Sequence, residues 1–133
     1  MQVSDLITPG MTREETFRVE EQHTAYHIGS GDEKVLGTPW MISFMERVSN
    51  RLVAENLSKD QMSVGVHVDV RHLAATPVKV EIRVRAEVLE VVKNRIKLSI
   101  EAWDSQEKIG EGTHLRVVVE KTRFMARVLA KIE

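Results

Sequence analysis

The sequence contains no cysteine. A disulfide framework, a thiolate zinc site and a cysteine nucleophile are therefore excluded, and redox chemistry sets no limit on the compartment. A charge excess is missing too: 19 Lys and Arg face 20 Asp and Glu, for a net charge of −1. A protein held to nucleic acid by its field would carry a basic excess, so nucleic acid is not an expected partner. There is no run of about 18 apolar residues, so no membrane span is expected. Residues 1–16 include Asp5, Glu14 and Glu15 and lack a basic-then-apolar leader pattern, which makes a cytoplasmic location the expectation. Internal repeats and low-complexity tracts are absent as well.

What remains is an ordinary globular composition, 42% hydrophobic and 29% charged over 133 residues. That length fits one domain, with residues 1–15 as a polar N-terminal extension and 121–133 as a basic C-terminal tail. A chain of this size buries about two-thirds of its unfolded surface. It has little room to enclose a ligand alone, so a site shared between chains is expected.

Pro9-Gly10 signals a turn, and Phe17 and Val19 alternate with charged neighbours as a short strand. Thr38 and Pro39 mark a helix start, Thr as N-cap and Pro at the first helical position. Met41, Phe44, Met45, Val48 and Leu52 follow at helical spacing. Ile42, Val53 and Leu57 widen the apolar arc past half the circumference, which predicts a helix wrapped by other structure.

Period-two alternation then takes over. Val64 to Val70 reads as a strand with His67, Asp69 and Arg71 on the wet face. Val78 to Val88 reads as a second, with a bulge at Val88-Leu89. Lys93-Asn94 makes a turn, Asn94 supplying the left-handed residue. Ile96 to Ala102 is the next strand. Leu115, Val117 and Val119 define the inward face of the last, leaving His114 and Arg116 outward. Residues 121–133 suggest a helical tail. Short turns imply antiparallel neighbours, and the whole reads as α+β, one curved antiparallel sheet around one central helix.

Three residues are candidates for chemistry on their own placement. Glu46 falls inside the apolar arc between Val53 and Leu57, with no Lys or Arg at three or four residues. Either it reaches water at the arc's edge, or its acidity is shifted unless a distant cation meets it. His72 continues the inward row of Val66, Val68 and Val70; it is a core-edge histidine or an imidazole aimed under the helix. Thr38 is a cap, or a hydroxyl at a positive helix terminus able to meet a carbonyl or water. His23, His27 and His67 have no metal-ligand spacing, so no metal is expected. Lys121, Arg123, Arg127 and Lys131 make the tail basic, a wet face or a surface for a phosphorylated ligand.

Three stretches resemble the fluoroacetyl-CoA thioesterase-like branch of the hotdog-fold acyl-CoA thioesterases. They are Val35-Leu36-Gly37-Thr38-Pro39 to Met45-Glu46, Val64-Gly65 to Val70-Arg71-His72-Leu73-Ala74-Ala75-Thr76-Pro77, and Glu101-Ala102-Trp103-Asp104 to Gly110-Glu111-Gly112-Thr113-His114-Leu115-Arg116. The resemblance spans roughly residues 17–125. It implies a hotdog fold of about five strands, a homodimer or a pair of dimers, and hydrolysis of an acyl-CoA thioester. No cofactor is implied beyond the coenzyme A of the substrate. Thr38, Glu46 and His72 match the branch's catalytic residues; Gly65 and Arg116 match substrate-binding positions. Two departures stand out. The segment between His27 and Val35 is shorter and lacks lid phenylalanines, so selectivity for fluoroacetyl is not expected; a short or small acyl group is. Lys79 stands where relatives commonly have glycine. The rival readings are a non-catalytic acyl-CoA or small-ligand binding protein and a dehydratase or hydratase, the latter disfavoured by the Thr38, Glu46 and His72 set.

Overall fold

A computed structural model describes residues 2–133. A helical turn α1 (Val3–Leu6) leads to strand β1 (Thr12–Arg18), a short helix α2 (Ala25–Ile28) and the long helix α3 (Thr38–Ala54). Strands β2 (Gln61–His72), β3 (Glu81–Val92), β4 (Arg95–Trp103) and β5 (Lys108–Glu120) follow, and helix α4 (Lys121–Leu129) ends the chain with a 3-10 turn at Ala130–Ile132. The strands form one antiparallel sheet in the order β1-β3-β4-β5-β2. Among the described residues, no helix is long and apolar enough to cross a membrane.

The central helix behaves as its wide apolar arc predicts. Met41, Phe44, Met45, Val48, Leu52 and Val53 are all buried. They face Ile82, Val84, Ala86 and Val88 of β3 and Ile96, Leu98, Ile100 and Ala102 of β4, also buried. Those two strands carry the cleanest alternation in the sequence, and burial of one face is what alternation encodes. The bulge expected after Val88 is present, as a register shift between Val88 and Glu90. Gly110 lets the helix lie close: a Cβ there would stand 2.5 Å from Met41 Sδ. Val3 and Ile7 join the core from the N-terminal segment.

Five expectations need correction. The cap of α3 is Gly37, in extended conformation, with Thr38 and Pro39 inside the first turn. Gly37 is pinned there because its amide donates to the His23 carbonyl at 2.9 Å. The second alternating strand starts only at Glu81, because Lys79 turns the chain with φ +78°. At the β3–β4 turn Lys93 is the left-handed residue (φ +57°); the Asn94 side chain instead donates to the Val118 carbonyl. The β2 register shifts between Gly65 and His67, so Ser63 is buried before the shift while Val68 and Val70 pack on the core after it, and Val66 is half exposed. The phase of β5 is the reverse of its hydropathy pattern: His114, Arg116 and Val118 are buried, and Leu115, Val117 and Val119 are the partly exposed row.

Both outer strands leave a backbone edge free. On β2 that edge is twelve residues long and its exposed side includes Val66. Long unpaired edges with apolar side chains favour pairing with another strand.

Candidate active site

The loop before α3 and the loop after β2 are stitched together. Leu36 donates its amide to the Thr76 carbonyl at 2.8 Å, and Val35 bridges to Pro77. Thr76 is itself buried and donates its hydroxyl to Asp104 at 2.9 Å. Those bonds bring the first residue of the helix to the last residue of the strand. Thr38 Oγ1 lies 2.7 Å from His72 Nδ1. Freed from capping by Gly37, the hydroxyl is exposed and opens on a cleft of about 400 Å³ lined by Gly37, Thr38, His72, Leu73 and Ala74.

The imidazole is half-buried, and its Nε2 is buried with no partner among the described residues. Burial holds its pKa below the ordinary histidine value. The ring is therefore neutral near pH 7 and has a lone pair to offer. A neutral imidazole at hydrogen-bond distance from a hydroxyl is a general base in position.

Glu46, Gly65 and Arg116 form a second cluster. Arg116 lies on β5 opposite Gly65 on β2, and its Nη1 is 3.9 Å from Glu46 Oε2. A Cβ on Gly65 would stand 2.7 Å from that same carboxylate oxygen. Glu46 thus satisfies both halves of its sequence reading: it sits at the arc's edge, 44% exposed, and a distant cation meets it.

Arg116 is held by groups that local sequence analysis overlooked. Its Nε donates to Ser63 Oγ at 2.7 Å, and its Nη2 donates to the Ser63 carbonyl at 3.1 Å and to Asn50 Oδ1 at 3.2 Å. Its Nη1 donates to His114 Nε2 at 3.1 Å. His114 Nδ1 donates in turn to the His67 carbonyl at 2.8 Å, which fixes the tautomer. Burial lowers the His114 pKa, and the adjacent guanidinium adds to it against the opposing pull of the His67 carbonyl. A protonated His114 would set N–H against N–H, so the network requires the neutral ring. The shared parity of His114 and Arg116 was the one signal of this network in the sequence.

The two clusters lie apart within one chain. Helix α3 is regular from Thr38 to Ala54, and eight residues of α-helix separate Thr38 from Glu46 by about 12 Å along the axis. An irregular first turn does not bring them together.

A five-stranded antiparallel sheet folded on one long helix is the hotdog fold, here with a Thr–His pair at the helix start. A hot-dog-like protein from Thermanaerovibrio acidaminovorans shares the fold at TM-score 0.92 and 24% identity, covering 100% of this chain and 98% of the other. The sequence profile of the fluoroacetyl-CoA-specific thioesterase family matches residues 19–122. The fluoroacetyl-CoA thioesterase of Streptantibioticus cattleyicolor is 35% identical over 98 residues, 74% of this chain and 70% of that protein. A solved fluoroacetyl-CoA thioesterase structure matches at TM-score 0.87 and 30% identity, covering 94% and 97% of the two chains. The chain belongs to this thioesterase family and is a hydrolase of that class.

Proposed function

We propose that the protein hydrolyses the coenzyme A thioester of a small acyl group, at a site built from two copies of the chain. The observation that carries this reading is the 2.7 Å pairing of Thr38 with a neutral, half-buried His72 beside an open cleft. His72 takes the Thr38 proton as Oγ1 attacks the thioester carbonyl. The C–S bond breaks, and the CoA thiolate leaves with that proton. Water then attacks the acyl-threonine ester, with Glu46 accepting a proton, and the carboxylic acid departs as Thr38 is reprotonated. Each such proton transfer typically contributes about 10²–10⁴ in rate.

Glu46 reaches this chemistry from a second copy. Within one chain it is too far from Thr38, whereas antiparallel pairing of two β2 edges would lay one copy's helix start beside the middle of the other's helix. The same pairing covers the twelve-residue edge and the exposed Val66. Arg116 then lends the site a fixed positive charge beside Glu46, and Gly65 leaves the room that the Glu46 carboxylate occupies. The short segment between His27 and Val35 leaves the cleft open, which supports small acyl groups without selectivity for fluoroacetyl.

The test is a thiol-release screen over acyl-CoAs from acetyl to long-chain and aryl. Turnover of short acyl-CoAs, with Thr38→Ala and His72→Ala inactive, is the expected result. Full activity in both variants would overturn the mechanism, and saturable binding without turnover would favour a binding protein.

A further inference from the structure

The basic tail is not used by the hydrolytic chemistry. Residues 121–133 carry Lys121, Arg123, Arg127 and Lys131 against a single acid, Glu133. Arg123, Arg127 and Lys131 recur every four residues, so they stack as one stripe on α4 and the turn that continues it. Like charges at this spacing repel and destabilise a helix. Among the described residues none of the three forms an ion pair, and all three are exposed. The acid that precedes the stripe, Glu120, is committed elsewhere: its carboxylate accepts from the backbone amides of Thr122 and Arg123 at 3.3 and 2.7 Å. The stripe is an unmatched cationic surface.

It is also shaped. Arg127 and Lys131 border an open groove of about 300 Å³ along the helix, with Phe124 and Val128 between them. Arg123 and Arg127 flank a second, of about 220 Å³, that reaches Asn94, shares Phe124 and has Glu120 on its wall. An aromatic floor between cations suits a purine ring bearing phosphates. The spacing to the reacting centre fits as well. Arg116 and Glu120 are four residues apart on β5, about 13 Å along the strand. A pantetheine arm, with two amide-linked units between thioester and diphosphate, spans about as far as four or five extended residues, roughly 15 Å.

We propose that the α4 stripe binds the phosphates of the substrate's nucleotide, with Phe124 beneath the adenine; this rests on the acyl-CoA reading above. The test compares one acyl group carried on coenzyme A and on pantetheine, which lacks the nucleotide and all its phosphates. In the Arg123→Gln/Arg127→Gln double variant, the KM for acyl-CoA rises about tenfold with kcat unchanged, while the pantetheine thioester keeps its KM. For the unaltered protein, added salt raises the KM of the CoA substrate only, and the double variant loses that dependence. Lys131→Gln repeats the comparison at an exposed side chain that makes no ion pair among the described residues. An unchanged acyl-CoA KM in folded variants overturns the proposal, as does an equal loss with both substrates. So does sedimentation with anionic vesicles, lost in the double variant, alongside an unchanged KM, which would make the stripe a membrane contact. If the unaltered protein hydrolyses neither substrate, the thioesterase reading itself fails.

Discussion

Gly65→Ala should separate catalysis from stability. The added methyl would lie 2.7 Å from Glu46 Oε2, 3.0 Å from His114 Cε1 and 3.4 Å from Arg116 Nη1. Ordinary van der Waals contact begins near 3.4 Å. The carboxylate must therefore retreat by about 0.7 Å or more, or rotate away from Arg116 altogether. Glu46 is half exposed and can move into water, while the buried His114 ring must give by a few tenths of an ångström, so the fold should lose about 1–2 kcal/mol. Catalysis should suffer more, because displacing a catalytic group by about 1 Å can lower the rate by about 10²-fold. The assay is thiol release from the best acyl-CoA, paired with a thermal melt. A fall of about 10² in kcat/KM, with the melting temperature lowered by only a few degrees, is expected. A folded Gly65→Ala protein with unchanged kcat/KM would refute the placement of Glu46 in the site.

Three further outcomes follow from individual residues. Lys79→Gly should stabilise the protein by about 1 kcal/mol in a thermal or urea melt, since a non-glycine residue at φ +78° is strained there. Stability should fall as pH drops below about 6.5: His23, His72 and His114 all have depressed pKa values when folded, so the unfolded chain binds more protons in that window. The loss starts at the ordinary histidine value and is complete below the folded ones; melts between pH 8 and pH 5 measure it, and His114→Asn should flatten the slope. Rapid acid quench during turnover should capture an acyl group on Thr38 by mass spectrometry, and Thr38→Ala should abolish the adduct.

Much of the fold was legible because β3, β4 and α3 bury apolar side chains in the period of their backbone. The same logic misled on β5. There a buried arginine is paired with Ser63, Asn50 and His114, which come from a strand, a helix and its own strand. A satisfied cation can occupy a core position, but hydropathy along one strand counts it as wet, and that single misjudgement inverts the face of every neighbour. The bulge in β2 was hidden by an unbroken run of valines at even positions, whose side chains alone do not reveal a register shift. Thr38 drew attention for the wrong local reason: it was assigned to the cap that Gly37 provides, whereas its hydroxyl faces His72. That pairing depends on the stitching of residues 35–36 to 76–77, which joins segments about 40 residues apart. The family resemblance added Gly65, and it raised Thr38 and Arg116 above the cap and the outward strand residue that placement alone reads. The distance between Thr38 and Glu46, by contrast, was readable from helical geometry alone, and it points beyond a single chain.

That second copy is the central claim, and mixing inactive variants tests it most directly. Thr38→Ala and Glu46→Ala should each be inactive alone. When the two are unfolded together and refolded, a mixed dimer carries one site with both changes and one with neither. Half the dimers are mixed at random reassociation, so about a quarter of the unaltered activity should return. Mixing Thr38→Ala with His72→Ala should restore nothing, because those two residues belong to one chain's half of the site. No recovery in the first mixture, with mixed dimers demonstrated by mass, would contradict the shared site.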